Sequence, residues 1–398
     1  MDIRIIPTKL RGSICAIPSK SQAHRLLICA AFADKPTSLL CPETNRDIEA
    51  TANCLRALGA VITRLPDGYM VTPIARLSDT ASLPCQDSGS TLRFLLPVVG
   101  ALGVDAVFEM TGRLPKRPLS PLWEEMERMG CRLSRPTPDT LRCTGKLRPG
   151  AYAISGSVSS QFISGLLFAL SLLPGSSRLT VLGKLESAPY VLMTLSAMER
   201  FGVTISDNTF SGSCCFHSPG TVPVEGDWSN AAFFLAAQNL GSPVTVENLD
   251  PRSPQGDRAC AELLPALSQN ITISAADIPD LVPILSVVAA ANQGAVFTDI
   301  GRLRLKESDR VASVMDMLHA LGGKAEATDS TLTVFGTGLR GGTVDSRNDH
   351  RIAMSAAIAA TICTEPVTII GAGCTEKSYP KFFEDYKSLG GKYEQYLR

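Results

Sequence analysis

The chain has few of the residues that announce metal or redox chemistry. Its four histidines, His24, His217, His319 and His350, lie far apart with no zinc-ligand spacing. Twelve cysteines are present, but no Cys-x-x-Cys occurs, Cys214 and Cys215 are adjacent, and most of the others fall inside apolar runs. That pattern reads as free thiols in a reducing compartment, without disulfides or a metal site. No dinucleotide fingerprint is present, so neither a metal nor a redox cofactor is expected. Net charge is also absent, since Lys plus Arg and Asp plus Glu both number 38. A neutral chain has no global field to gather nucleic acid or an acidic membrane, so any anion site must be local. The apolar stretches are too short or too interrupted to span a bilayer. Met1 to Leu10 carries Asp2, Arg4 and Lys9 and no apolar core of signal length, so a cytoplasmic location is expected.

What is present is a globular composition, 44% hydrophobic over 398 residues, enough for two or three domains. It also contains a repeat. Apolar residues spaced by 3, 1, 3 and 3 and followed by glycine occur at Leu119, Leu122, Trp123, Met126, Met129, Gly130. The same rule gives Val311 to Gly322 and Tyr379 to Gly390, with looser copies ending at Gly59, Gly202 and, with serine in place of glycine, Ser268. This spacing describes the buried stripe of a surface helix, stopped by a residue suited to the left-handed conformation. Between 39 and 43 residues before each end, a more apolar helical run opens with polar residues. The openings are Lys20-Ser21, Ser88-Gly89-Ser90, Ser159-Ser160-Gln161, Trp228-Ser229-Asn230, Pro279-Asp280 and Asn348 to Arg351. Short β-like runs lie between and after the helices, as at Val61 to Thr63, Tyr69 to Val71 and Thr331 to Phe335. Six α+β units, interrupted near Glu225, fall most simply into two domains of three.

The polar openings are candidate anion sites, because the first N–H groups of a helix lack internal partners and carry partial positive charge. Ordinary capping explains any one of them. Together they carry more cations than capping needs: Lys20 and Arg25 flank Ser21, Arg93 follows Ser90, and His350-Arg351 follows Asn348-Asp349. Thr111 to Pro118 packs Arg113, Lys116 and Arg117 between prolines, which reads as a rigid loop. Lys306 to Arg310 reads as the mixed-charge first turn of a surface helix.

Here the chain resembles the 5-enolpyruvylshikimate-3-phosphate synthases of the enolpyruvyl transferase family. The motifs that carry the resemblance are Pro18 to Arg25, Asp87 to Arg93, Ser159 to Phe162, Lys306 to Arg310, Asn348 to Arg351, and Lys377 in Cys374-Thr375-Glu376-Lys377. They run in order along nearly the whole chain. The resemblance implies an α+β fold of two similar domains, each of three βαβαββ units, an inside-out α/β barrel. The domains would be residues 19–225 and residues 226–398 completed by 1–18, with the active site in the cleft between them and closure on the substrate. It implies a transferase that moves the enolpyruvyl group of phosphoenolpyruvate to the 5-hydroxyl of shikimate 3-phosphate and releases phosphate, in chorismate and aromatic amino acid biosynthesis.

The family's shikimate 3-phosphate contacts match Lys20, Ser21, Arg25, Ser159, Ser160, Gln161, Ser187, Tyr190, Asp280 and Lys306. Those to phosphoenolpyruvate match Lys20, Gly89, Arg113, Gln161, Arg310, Arg351 and Lys377. Gly112-Arg113 is tighter than the family's Thr-Gly-x-x-Arg, and Arg302 stands where some members carry asparagine. Addition followed by elimination needs a base near the hydroxyl and an acid near C3. Asp280 is expected as that base, its bland alternative being a cap on the helix from Leu281. Glu307 and Lys20 are the candidates at C3, Lys20 with a pKa lowered by neighbouring arginines, and His350 positions. The expected partners are the two small-molecule substrates alone, with a monomeric chain and neither nucleic acid nor membrane. The related UDP-N-acetylglucosamine enolpyruvyl transferase carries a loop cysteine that Gly112 to Pro118 lacks. A non-catalytic phosphoanion binder would have no need for acids beside its anion site.

Overall fold

The computed structural model describes residues 1–207, 209–211 and 214–396. The chain divides into two compact units, Pro18–Glu225 and Met1–Ile17 with Gly226–Arg398, so Pro18 goes with the middle segment and not with the ends. Each has its own hydrophobic core.

In the unit 18–225, α1 (Lys20–Ala31), α3 (Gly89–Leu102) and α5 (Ser160–Leu172) are almost wholly buried, while α2 (Arg46–Leu58), α4 (Leu122–Arg128) and α6 (Ala188–Arg200) keep an exposed face. The alternation repeats in the other unit. There α7 (Trp228–Asn239), α9 (Val282–Ala291) and α11 (His350–Ala359) are the buried helices, and α8 (Cys260–Ala266), α10 (Arg310–Ala320) and α12 (Phe382–Ser388) are the outer ones. Among the described residues no helix is long and apolar enough to cross a membrane.

Local chemistry sets most helix ends. The hydroxyl or carboxylate of Ser19, Ser88, Ser159, Asp227 and Asp349 accepts a bond from a first-turn N–H of α1, α3, α5, α7 and α11. Each such cap is worth roughly 1 kcal/mol. The glycine stops behave as the repeat implied. Gly59 has φ +115°, and a side chain there would drive its Cβ to 2.5 Å from the Arg76 carbonyl oxygen. Inside the unit, Gly165 of α5 lets α3 approach closely, since a Cβ would lie 2.3 Å from the Arg93 carbonyl oxygen.

The strands follow one scheme: a parallel pair, then antiparallel partners. Thr80–Gln86 runs parallel to Asp105–Met110, which pairs antiparallel with Thr140–Gly145 and that with Cys131–Ser134. Ile271–Ser274, Gly294–Thr298, Thr331–Phe335 and Lys324–Ala327 repeat it in the other unit. In both stretches the element order is βαβαββ. A further copy, Gly342–Asp345 beside Val367–Ile370, takes its next strand from Asp2–Ile6, which joins it to Lys392–Tyr396. The chain's two ends thus close one sheet. Alternating burial along Thr331–Phe335 puts Leu332 and Val334 inward, as a sheet with one covered face requires.

Candidate functional site

In the unit 18–225, the starts of α3 and α5 are tied together by their own polar side chains. Gln161 donates from Nε2 to Ser90 Oγ at 2.9 Å and accepts from Arg93 Nη1 at 3.2 Å, linking α5 to α3. Arg93 also donates to the Pro118 carbonyl at 3.3 Å, which anchors the cation-rich segment. That segment holds a 3-10 turn, Leu114–Lys116. Arg113 stands exposed at its start, whereas Arg117 reaches Gly89. A Cβ on Gly89 would sit 2.6 Å from Arg93 Nη1 and 2.8 Å from Arg117 Nη1. The glycine therefore makes room for two guanidinium groups over the first turn of α3, more than for a close backbone approach.

Arg25 is buried, donating to Thr194 Oγ1 and the Tyr190 carbonyl, each at 2.8 Å, and to the Ser21 carbonyl. Its guanidinium lies 4.9 Å from the Phe94 ring centre. Burial lowers its pKa to about 10, so it stays a cation at neutral pH. Ser187, just before α6, holds the left-handed conformation at φ 57° and is buried. Lys20 was expected among arginines; its Nζ instead lies 3.0 Å from Asp47 Oδ2. Behind it, His24 Nδ1 bonds Thr51 Oγ1 at 2.7 Å, and Thr51 bonds Thr91 at 2.7 Å. Burial presses the His24 pKa to about 3, keeping it neutral.

The other unit gathers a denser cluster. Asp280 does not cap α9, which starts at Val282 with Leu281 before it. Its carboxylate faces Arg310, Lys306 Nζ at 3.5 Å and Arg351 Nη2 at 3.2 Å. Arg310 also donates to Glu307 Oε2 at 2.7 Å and Asp349 Oδ2 at 2.9 Å. Its side chain is only 1% exposed, so Arg310 is not a solvated surface charge. Ser308 Oγ adds a bond to Asp349 at 3.0 Å. Arg351 reaches the Ser229 carbonyl at 3.4 Å. His350 is wholly buried, with Nδ1 3.9 Å from Asp349 Oδ1. Lys377 is buried at the end of a 3-10 turn, Ala372–Lys377, that packs on α11.

The electrostatics follow from this packing. Burial alone would raise the Asp280 carboxyl, but Arg351, Lys306 and Arg310 outweigh it and hold the group well below the usual range, against Glu307. Burial lowers Lys306 to about 8, with Asp280 opposing and Arg310 and Arg302 assisting. Buried Asp257 is pushed up to about 6, first by burial and then by Asp280, with Arg351 opposing.

Sequence reasoning placed Lys20, Ser21, Arg25, Gly89, Arg113, Ser159, Ser160, Gln161, Ser187 and Tyr190 in one unit, and Asp280, Lys306, Glu307, Arg310, His350, Arg351 and Lys377 in the other. It had Arg93 and Asp349 only as parts of helix openings and Arg117 only as part of a basic loop. Asp47 and Asp257 it missed, and as isolated acids they offer no local signal. Two anion-ready clusters, one lined by hydroxyls and guanidinium groups, the other by paired acids and bases, can bind anions and move protons.

A family model described as EPSP synthase (3-phosphoshikimate 1-carboxyvinyltransferase) matches residues 5–276 and 268–386. A 3-phosphoshikimate 1-carboxyvinyltransferase of Clostridium kluyveri is 35% identical over 420 residues, covering 99% of this chain and 98% of its own length. One from Clostridium perfringens is 38% identical over 415 residues, covering 97% and 98%. The solved EPSP synthase of Acinetobacter baumannii matches with a TM-score of 0.80 over 99% of this chain and 100% of that one, at 22% identity. That likeness carries the two-domain α+β fold alone. With relatives of this identity matched from end to end, the chain belongs to the EPSP synthase (3-phosphoshikimate 1-carboxyvinyltransferase) family.

Proposed function

We propose that the two clusters serve one reaction, the transfer of the enolpyruvyl group of phosphoenolpyruvate to the 5-hydroxyl of shikimate 3-phosphate by addition and elimination, with release of phosphate. Family membership supports the activity. The observation that supports the assignment of residues is the pairing of acids and bases around Asp280.

In this reading Ser21, Arg25, Ser159, Ser160, Gln161, Ser187 and Tyr190 hold shikimate 3-phosphate, and Asp280 with Lys306 meets its 5-hydroxyl. Lys20, Gly89, Gln161, Arg113, Arg310, Arg351 and Lys377 serve phosphoenolpyruvate. Arg93 and Arg117, which flank Gly89, add positive charge there. Preorganised cations stabilise the phosphate as it leaves. Glu307 and Lys20 handle the proton at C3, and His350 positions the start of α11.

The chain acts as a monomer in the cytoplasm, where its twelve free thiols stay reduced. One assay tests the function: phosphate release from phosphoenolpyruvate with either shikimate 3-phosphate or UDP-N-acetylglucosamine. Turnover with the first alone is expected; turnover with the sugar nucleotide alone would overturn the reading. Light scattering on the eluted protein should give the mass of a single chain, and a dimer mass would reject the monomer.

A further inference from the structure

In the unit 18–225, α1, α2 and α3 meet along a seam of polar side chains. Lys20 and His24 lie one turn apart on α1, and Asp47 and Thr51 one turn apart on α2, so each pair shares a helix face. The two faces join in two rungs: Lys20 Nζ with Asp47 Oδ2 at 3.0 Å, and His24 Nδ1 with Thr51 Oγ1 at 2.7 Å. The second rung lies fully inside the protein. From it a line of hydroxyls runs from Thr51 to Thr91 Oγ1 at 2.7 Å, and from Thr91 to Ser88 Oγ, the cap of α3, at 2.8 Å. Between Ser88 and Thr91 stand Gly89 and Ser90, the turn against which Arg93 and Arg117 lie.

The proton count along this line fixes the state of the imidazole. A hydroxyl has a single proton to donate. Thr91 donates its own to Ser88, so Thr51 donates to Thr91, and the His24 contact is left for Nδ1–H to make. The neutral ring therefore carries its proton on Nδ1 and leaves Nε2 bare, and Nε2 is buried with no hydrogen-bond partner among the described residues. Burial opposes a second proton on the ring; of the charges that face it, Asp47 of α2 favours that proton, and Lys20 and Arg25 of α1 oppose it.

We infer that His24, as the Nδ1–H tautomer, is a positioning residue that ties the first turn of α3, through Thr51 and Thr91, to the seam where Lys20 meets Asp47. This rests on the reading above, in which Lys20 and Gly89 serve phosphoenolpyruvate. His24 acts through the spacing of three helices. Without its donor, Thr51 loses a buried bond, and Lys20 and the Gly89 turn lose their common reference. Arg25, the next residue of α1, is held by Thr194, Tyr190 and Ser21, none of which belongs to this line. The two substrates thus report on the line separately.

Two measurements on the full chain test this. Long-range proton–nitrogen correlation spectra at neutral pH should show one ring, identified by its loss in His24→Asn, protonated on Nδ1 and bare at Nε2. A ring protonated on Nε2, or on both nitrogens, would overturn the inference. In steady-state kinetics, His24→Leu and Thr51→Val should each raise the KM for phosphoenolpyruvate about tenfold, with the KM for shikimate 3-phosphate moving much less. The double variant should be little worse than either single one, because both break the same line. His24→Asn carries an amide N–H as far from the backbone as Nδ1, and should restore most of what His24→Leu loses. Unfolding midpoints show that each variant folds. An unchanged phosphoenolpyruvate KM in folded His24→Leu and Thr51→Val, or equal rises for both substrates with no rescue by asparagine, would reduce the line to packing and overturn the positioning role. A wild-type chain that releases no phosphate from these substrates would instead sink the proposed function, an outcome on which the tautomer spectrum does not depend.

Discussion

The Arg310 guanidinium lies against the Asp349 carboxylate, Nε to Oδ2 2.9 Å, with both side chains almost wholly withdrawn from solvent. Burial alone would lower the Arg310 pKa, but Asp349, Glu307 and Asp280 together raise it well above the ordinary value. The pair joins the first turn of α10 to the cap of α11.

Removing one partner leaves the other as a buried, under-compensated charge. Asp349→Ala should destabilise by about 3–5 kcal/mol, since it also removes the cap that accepts from the Arg351 N–H. Asp349→Asn keeps the cap and should lose less. Urea unfolding reads both, and a midpoint unchanged in Asp349→Ala would show the pair contributes nothing to stability.

Gly89→Ala tests the cradle at α3. Its methyl would lie 2.6 Å from Arg93 Nη1 and 2.8 Å from Arg117 Nη1, the far ends of flexible chains. The fold should yield at a cost below about 1 kcal/mol, alanine being the better helix former. The displaced cations should raise the KM for phosphoenolpyruvate about tenfold, or ~1.4 kcal/mol. An unchanged KM would detach both arginines from that substrate.

Asp257 gives a pH signature. Its folded pKa of about 6 lies above the ordinary carboxyl value of 3.8. Between those values the folded chain holds a proton that the unfolded chain has lost, so this group's stability contribution is present at low pH and lost as pH rises through about 6. The loss should be on the order of 3 kcal/mol and absent in Asp257→Asn. Denaturant midpoints across this range measure it; identical slopes in the two proteins would reject the buried, proton-holding state.

Much of the fold is legible locally. The periodic stripes, the serine and aspartate openings and the glycine stops are each written within a few residues, because caps and left-handed stops are short-range physics. The βαβαββ order follows from them. The final sheet is less local, for Asp2–Ile6 finds its partners at the far end of the chain.

The site divides the same way. Lys20, Arg25, Gln161 and Arg351 were visible as polar residues opening apolar helices. That Lys20 faces Asp47, and that Arg117 lies over Gly89, depends on segments brought together by packing. Lys306 to Arg310 had the look of a solvated first turn, yet α11 brings Asp349 onto it and buries Arg310.

By itself, then, the sequence determined the six helix–strand units, where most of the helices begin and stop, and the family they compose, because those features need only neighbours along the chain. Tertiary structure alone decided which charges are paired and which are buried. Solvation and Coulomb energies depend on distance through space, and no local spacing records that.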